Sequence, residues 1–362
     1  MIMTEKSKQH IDACRFCWMC HHICPIGNAS GLERNTAKAR ALGLSLVTRG
    51  ALTVSDVADS LYECACCGAC VHDCTTGWDP VMFTKEARLQ AALEGALPEY
   101  INVLVDNALE TGNAYGKTEL DADLSAAMEK YSAKTDTLLF LGVDARYQMP
   151  EAAIKAIRVL EKANVAFTVL ADEPASGQQL EYLISAAKET KEQMTACADI
   201  LNTYKKVIVY DPQDAKVFKR EYKEWNIDLN AEIITFTAFL AQLVEGGALQ
   251  LKNTGREVTY QDPFQLSRDL GETEDARKVI AACASLKEML CHGAQTMWAG
   301  NLLMQQWLKN VITEVAKCRI QNAKGVGAKV IVTASVSEYA ALKAAADKDV
   351  EILSIEELVL GN

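Results

Sequence analysis

The sequence predicts an α/β-plus-helical chain: a helical N-terminal region carrying two cysteine runs, then two tandem α/β repeats with parallel sheets. Three observations predict it. Eight cysteines fall in two identical runs, Cys14, Cys17, Cys20, Cys24 and Cys64, Cys67, Cys70, Cys74. Apolar residues at helical spacing fill the stretches between and after the runs. From Thr137 onward, short β-branched or aliphatic runs alternate with longer amphipathic stretches, the pattern of a parallel sheet covered by helices.

Both runs read C-x2-C-x2-C-x3-C. This spacing lets a tight loop wrap three sulfurs around one iron-sulfur cubane and pass the fourth to a neighbouring one. Two copies predict two 4Fe-4S clusters with crossed ligands: Cys14, Cys17, Cys20 and Cys74 for one, Cys24, Cys64, Cys67 and Cys70 for the other. Pro25 follows the first run and Thr75 the second, so the second turn is expected to be shaped differently. Paired C-x2-C units also bind structural zinc, but four ligands per site give no reason for two identical four-member runs. Disulfides are disfavoured because the opening residues, MIMTEKSKQH, lack the apolar core of a secretory leader, which points to a reducing, cytoplasmic setting. Cys66 reads as a spare thiol, and His21, His22 and His72 as neighbours of the ligands or exposed residues.

The remaining elements follow in order. Residues 25–63, punctuated by Gly31, Gly43 and Gly50, read as a helical insert, and residues 79–98 as a helix ending near Gly95 and Pro98. These make a helical ferredoxin-type domain over residues 1–98, joined by a helical linker, 99–136. A first repeat, 137–250, has strands at 137–143, 165–171, 206–211 and 232–236, with helices after Pro150, Gly177, Asp211 and Thr235. A second, 251–362, has strands at 257–262, 328–334 and 350–355, with helices over 272–286 and 300–324 and from Ser337.

A chain of 362 residues is too long for a small ferredoxin, and 49% apolar with 23% charged residues suits a globular protein. No apolar stretch approaches the roughly 18 residues of a membrane span, so membrane association is expected only through a partner. The net charge of −11 argues against nucleic acid as partner, although the first fifty residues are locally basic.

The two runs with their long helical spacer, the segment SLYECACCGAC and the tandem repeats resemble the cysteine-rich-domain iron-sulfur family. That family includes the D subunit of heterodisulfide reductase, the iron-sulfur subunit of glycolate oxidase and lactate utilisation protein A. The resemblance implies, in each repeat, a cysteine after the first strand, a Cys-Cys-Gly segment and a C-P-x-C turn. Here those positions fall on Val143; on Ala175, Ser176 and Gly177; and on Asp211, Pro212, Gln213 and Asp214. In the second repeat they fall on Phe264; on Cys291, His292 and Gly293; and on residues 335–338, Ser335 through Glu338. Only Cys291 keeps its sulfur, so no third cluster is expected. Cys283 and Cys318, like Cys197, read as buried thiols that act as small hydrophobes, and a metal site rebuilt from Cys283, Cys291, His292 and Cys318 is the minor reading. Asp211 and Asp214 read as helix caps.

No G-x-G-x-x-G loop follows a strand, so no nicotinamide or flavin is expected on this chain. The resemblance implies an electron-transfer subunit of an oxidoreductase, relaying single electrons between a flavin-containing dehydrogenase subunit and a quinone, ferredoxin or other redox partner. Phe16, Trp18 and Trp78 are expected to shield the clusters from water. Two readings stand beside it: a thiol- or disulfide-active enzyme using Cys291 with His292, and a mainly structural docking subunit.

Overall fold

The computed structural model describes residues 3–15 and 17–361; Phe16, expected to shield a cluster, lies outside the described residues. The N-terminal region is helical throughout, and its helix starts are set by local chemistry. Thr4, Thr36 and Asp79 accept hydrogen bonds from the first turns of helices Glu5–Asp12, Ala37–Thr48 and Pro80–Leu93, and Thr53 and Asp56 form a reciprocal cap on Val54–Tyr62. These helices, with Glu99–Thr111, bury Leu44, Leu61, Phe83 and Ile101 completely, each contributing roughly 1.5–3 kcal/mol by leaving water. Helices Glu99–Thr111 and Ala122–Glu129 lead to the first sheet.

That sheet has parallel strands β1 (Thr137–Phe140), β2 (Lys206–Val209) and β3 (Glu232–Thr235), in the order β1-β2-β3. The second has β4 (Glu257–Gln261), β5 (Ser285–Leu286), β6 (Val330–Thr333) and β7 (Glu351–Ser354), all parallel, in the order β5-β4-β6-β7. On the free side of β1, Leu138 pairs in parallel with Thr168. Both sheets therefore place their first strand between the second segment and the third, as two copies of one α/β unit would.

Two predicted elements differ. Residues 165–171 form a single bridge rather than a strand, because the ladder beyond Thr168 is taken by other groups. Val169 N–H donates to the Tyr131 carbonyl at 2.9 Å, and the Glu173 carboxylate accepts from Leu141 and Gly142 N–H at 2.7 and 2.8 Å. The helix predicted over 272–286 is Asp275–Cys283, and its last residues instead form the short strand β5 on β4.

The cysteine region packs onto both repeats. Leu180, Leu183 and Ile184 of the first repeat join the N-terminal helical core, while Ile26 and Ala65 share a core with Phe264, Met289 and Trp298 of the second. Among the described residues, no helix is long and apolar enough to cross a membrane.

Candidate functional site

The first cysteine run wraps into two short helices. Cys14 and Cys17 precede helix Met19–Ile23, Cys20 lies within it, and Cys24 starts helix Pro25–Ser30, its sulfur accepting from Gly27 N–H at 3.4 Å. Pro25 suits this position, the first of a helix, because its missing N–H has no partner to lose there. In the second run Cys70 lies in helix Ala69–His72, Cys64 and Cys67 precede it and Cys74 follows. Trp18 and Gly68 occupy matching positions, and both take the left-handed conformation, with φ of 67° and 71°. That backbone is free for glycine and strained for tryptophan.

Two cavities collect the eight sulfurs. One of about 380 Å³ is lined by Cys14, Cys17, Cys20 and Cys74; the other, of about 330 Å³, by Cys24, Cys64, Cys67 and Cys70, with Cys66 also on its wall. The last cysteine of each run thus faces the cavity of the other. Among the described residues no carboxylate lines either cavity. Cations do: Arg15 and Lys38 at the first, Arg40 at the second. Trp18 and Trp78 wall the first, Ile26 and Val81 the second, and no disulfide joins any of these cysteines.

Sulfur donors, a cationic wall and an absence of competing acids fit an anionic, thiolate-ligated iron-sulfur group. Among the described residues no group of three or more His, Cys, Asp or Glu side chains is gathered as a site for a single metal ion. Without ligation burial works against ionisation of several of the thiols, although at Cys74, which is only partly buried, hydrogen bonding with Thr76 brings the thiol below its usual value. Burial, reinforced by Cys14, pushes Cys20 up to about 11, burial pushes Cys67 to about 11, and burial with Cys67 and Cys64 nearby raises Cys70 well above the usual thiol range. Cys64 goes the other way, chiefly because Cys66 hydrogen-bonds to it. Cys66 is half-buried, with a left-handed φ of 52°. His22 and His72 are exposed, His21 is half-buried, and among the described residues no histidine lines either cavity.

Three side chains missed by sequence reasoning hold the second run in place. Arg88, fully buried on helix Pro80–Leu93, donates to the Leu61 carbonyl (2.7 Å), the Cys64 carbonyl (2.8 Å) and the Tyr182 carbonyl (2.6 Å). Tyr182 Oη, from the first repeat, also donates to the Cys64 carbonyl at 2.7 Å. Arg268, from the second repeat, donates to the Cys67 carbonyl at 2.9 Å. The fourth omission, Arg40, is buried beside the second quartet with Nη1 on the Asn35 carbonyl. One signal was available: Arg40 and Arg88 each sit at helical spacing with buried apolar residues, Leu44 and Ala91 among them.

Three curated relatives match this chain over most of its length. A probable membrane-anchored ferredoxin of Chromohalobacter salexigens is 27% identical, across 80% of this chain and 49% of that protein. The D subunit of the dihydromethanophenazine:CoB–CoM heterodisulfide reductase of Methanosarcina acetivorans is 23% identical, across 79% of this chain and 76% of its own. The B subunit of the fumarate reductase (CoM/CoB) of Methanothermobacter marburgensis is 21% identical, across 76% and 56%. The chain spans about half the length of the first of these, and no family model matches it. The chain is similar to cysteine-rich iron-sulfur proteins.

Where that resemblance expects further sulfur, the repeats place hydrogen-bonded polar groups. Val143 opens helix Val143–Tyr147. Ser176 Oγ donates to the Asp214 carboxylate, and Asp211 caps helix Pro212–Lys216 through Gln213 N–H at 2.9 Å. The cap reading therefore holds for Asp211 and fails for Asp214. Asp214 is buried, and burial with Asp211 nearby keeps its carboxyl protonated well above the usual range. Ala175 and Pro212 bring no polar side chain, and Gln213 reaches Asp144 and Ser337 at 3.3 and 3.4 Å, tying the repeats together. In the second repeat Phe264 is buried, Ser335 caps helix Val336–Ala345, and Gly293 N–H donates to Asp262 at 2.8 Å. Cys291 is half-buried and its carbonyl accepts from Arg319, while the exposed His292 turns its Nδ1 to the Met289 carbonyl at 2.7 Å.

Cys283 is buried at the end of its helix, as is Cys197 in its own, but Cys318 is exposed, which corrects the expectation of a buried thiol. The reason is phase: helix Gln305–Gly325 turns Val315, Ala316, Arg319 and Ile320 inward and leaves Lys317 and Cys318 outside. Cys283, Cys291, His292 and Cys318 are not gathered into one site.

Glu338 accepts from Gln261 at 3.0 Å and from Ala299 N–H at 3.4 Å, and burial pushes its carboxyl up to about 8. A raised folded value means that stability is fully present below the unfolded value and is lost as pH rises through about 8. Unfolding midpoints in urea are therefore expected to fall between pH 6 and pH 9. Glu338→Gln should remove on the order of 1–3 kcal/mol of that fall; equal slopes in variant and wild type would contradict this.

Proposed function

We propose that the chain is an electron-transfer subunit holding two 4Fe-4S clusters, one on Cys14, Cys17, Cys20 and Cys74 and the other on Cys24, Cys64, Cys67 and Cys70. Such clusters, when bound, take up and release single electrons. The observation that carries the reading is the crossed pairing of the eight sulfurs in two separate cavities. The cysteines bind; Trp78, Ile26 and Val81 keep water from the cavity walls; Lys38, Arg15 and Arg40 offset the negative charge that four thiolates bring. The relatives' names, a ferredoxin and two reductase subunits, support the same role.

The substrate chemistry then belongs to a partner. A flavin-containing dehydrogenase subunit would supply electrons, and a quinone, a ferredoxin or another redox subunit would take them, in the cytoplasm or at a membrane reached through that partner. Residues 1–98 form the cluster-binding unit of this proposal, and residues 137–250 and 251–362 the two repeats that seat it.

Anaerobically purified protein is expected to contain about eight iron and eight acid-labile sulfide per chain. Zinc alone, or colourless protein, would overturn the proposal; about twelve of each would require a third cluster. Cys291→Ser is expected to leave iron content and electron transfer unchanged, since the carbonyl and not the sulfur of this residue is engaged. Loss of turnover in a reconstituted complex with iron intact would favour the thiol-enzyme reading.

A further inference from the structure

The two quartets differ in the cations beside them and in what those cations already hold. At the first, Arg15 is exposed to water, and Lys38 is paired with Glu33 at 3.7 Å while its ammonium lies against the Trp18 ring. At the second stand three guanidiniums. Arg40, 3% exposed, lines the cavity and donates to the Asn35 carbonyl at 2.9 Å. Arg88, fully buried, donates to the Cys64 carbonyl at 2.8 Å, and the half-buried Arg268 to the Cys67 carbonyl at 2.9 Å. All three hold backbone carbonyls, and among the described residues no carboxylate forms an ion pair with any of them.

Arg40 is the most demanding of the three. Taking a guanidinium out of water is expensive unless an anion and hydrogen-bond acceptors replace what water gave. The Nε of Arg40 has no hydrogen-bond partner among the described residues, and the cavity wall it belongs to carries Cys24, Cys64, Cys67 and Cys70. A thiolate-ligated cluster brings both negative charge and acceptor sulfurs to that wall.

The same charges act on the electron. A cluster becomes one charge more negative on reduction, so nearby cations raise its potential while burial lowers it. Burial, however, also strengthens the attraction to a fixed cation, because Coulomb energy varies inversely with the local dielectric. Around the second quartet, where Cys24, Cys64 and Cys67 are buried, one added negative charge meets three guanidiniums free of carboxylates, and attraction outweighs the cost of burial. Around the first, where Cys17 is exposed, water and Glu33 blunt the cations.

We propose that the second quartet holds the higher-potential cluster, that Arg40 sets this order, and that an electron given to the chain comes to rest beside the two repeats rather than at the exposed first quartet. The internal transfer is a single-electron step: the first cluster is oxidised by one electron, the second is reduced by one, and no bond is made or broken. This order rests on the two-cluster reading above and gives the relay a direction.

The test is a redox titration of the full anaerobic chain followed by electron paramagnetic resonance, with Cys14→Ser and Cys64→Ser identifying the signal of each quartet. As the potential is lowered, the signal lost in Cys64→Ser is expected to appear first. Arg40→Met should move that signal alone, cutting the ratio of reduced to oxidised second cluster at a fixed potential at least tenfold, a shift of about 59 mV for one electron. Arg40→Lys, which keeps the charge, should restore more than half of the shift. Earlier appearance of the signal lost in Cys14→Ser, or an unmoved second signal in Arg40→Met, would overturn the proposed order. The wild-type sequence of signals decides this whether or not Arg40→Met, which also gives up its bond to Asn35, keeps its iron. A wild type without two iron-sulfur signals would instead count against the cluster reading, so the two failures are told apart.

Discussion

Arg88→Met is expected to give a chain that keeps at most about half of its iron and unfolds about 3–5 kcal/mol more easily than wild type. Two effects oppose each other. Removing a buried guanidinium relieves its desolvation, which burial makes expensive. Removing its donors leaves the carbonyls of Leu61, Cys64 and Tyr182 without a partner it supplied, and each buried orphan costs about 1–3 kcal/mol. Tyr182 still covers the Cys64 carbonyl, but nothing replaces Arg88 at the other two. The rings of Tyr62 and Tyr182, with centroids 4.9 and 4.3 Å from the guanidinium carbon, also lose the cation they face.

The orphans therefore win, and the loop bearing Cys64 loosens. Tyr182→Phe is the mild counterpart: it removes one bond to a carbonyl that Arg88 still holds and a long one, 3.4 Å, that Arg88 donates to the hydroxyl, and should cost about 1 kcal/mol with full iron content. Urea unfolding followed by iron release measures both. An unchanged midpoint and full iron in Arg88→Met would show that the clamp does not hold the quartet.

The second large effect tests the crossing. If the quartets bind as proposed, Cys24→Ser is expected to lose the cluster of the second run although it lies in the first, and Cys74→Ser the reverse. Each variant should fall from about eight iron to about four. The deciding comparison is spectroscopic: the reduced Cys24→Ser protein should share its paramagnetic signature with Cys64→Ser and differ from Cys14→Ser. A signature shared with Cys14→Ser would show that each run binds its own cluster.

That each run folds as a tight cysteine-bearing loop was legible because ligand spacing is local: three of every four sulfurs lie within seven residues. Strands β1, β2, β3, β4, β6 and β7 were legible for a similar reason, as short aliphatic runs set between helices. Residues 165–171 carry the same composition but lose their ladder to Tyr131 and Glu173, and no local pattern announces that competition. Cys318 shows the limit of composition, since EVAKCRI reads as apolar while helix phase puts its cysteine outside. The roles of Arg88, Arg268 and Tyr182 were hidden because what they bind is backbone carbonyl far away in sequence. Two of these bonds span 94 and 201 positions, and carbonyls leave no trace in residue type. The cysteine loops and the clamp are thus different kinds of information, one written in spacing and the other in tertiary packing.

The bond from Arg268 to the Cys67 carbonyl also constrains how the protein is made. On the ribosome both cysteine runs emerge well before residue 268 has been synthesised. Until then the second loop lacks one of its ties, and the residues of the far repeat that pack against Ala65 and Ala69 do not yet exist. If a cluster binds there as proposed, the loop that receives it is less firmly held during this interval, and completion of the chain adds the last tie.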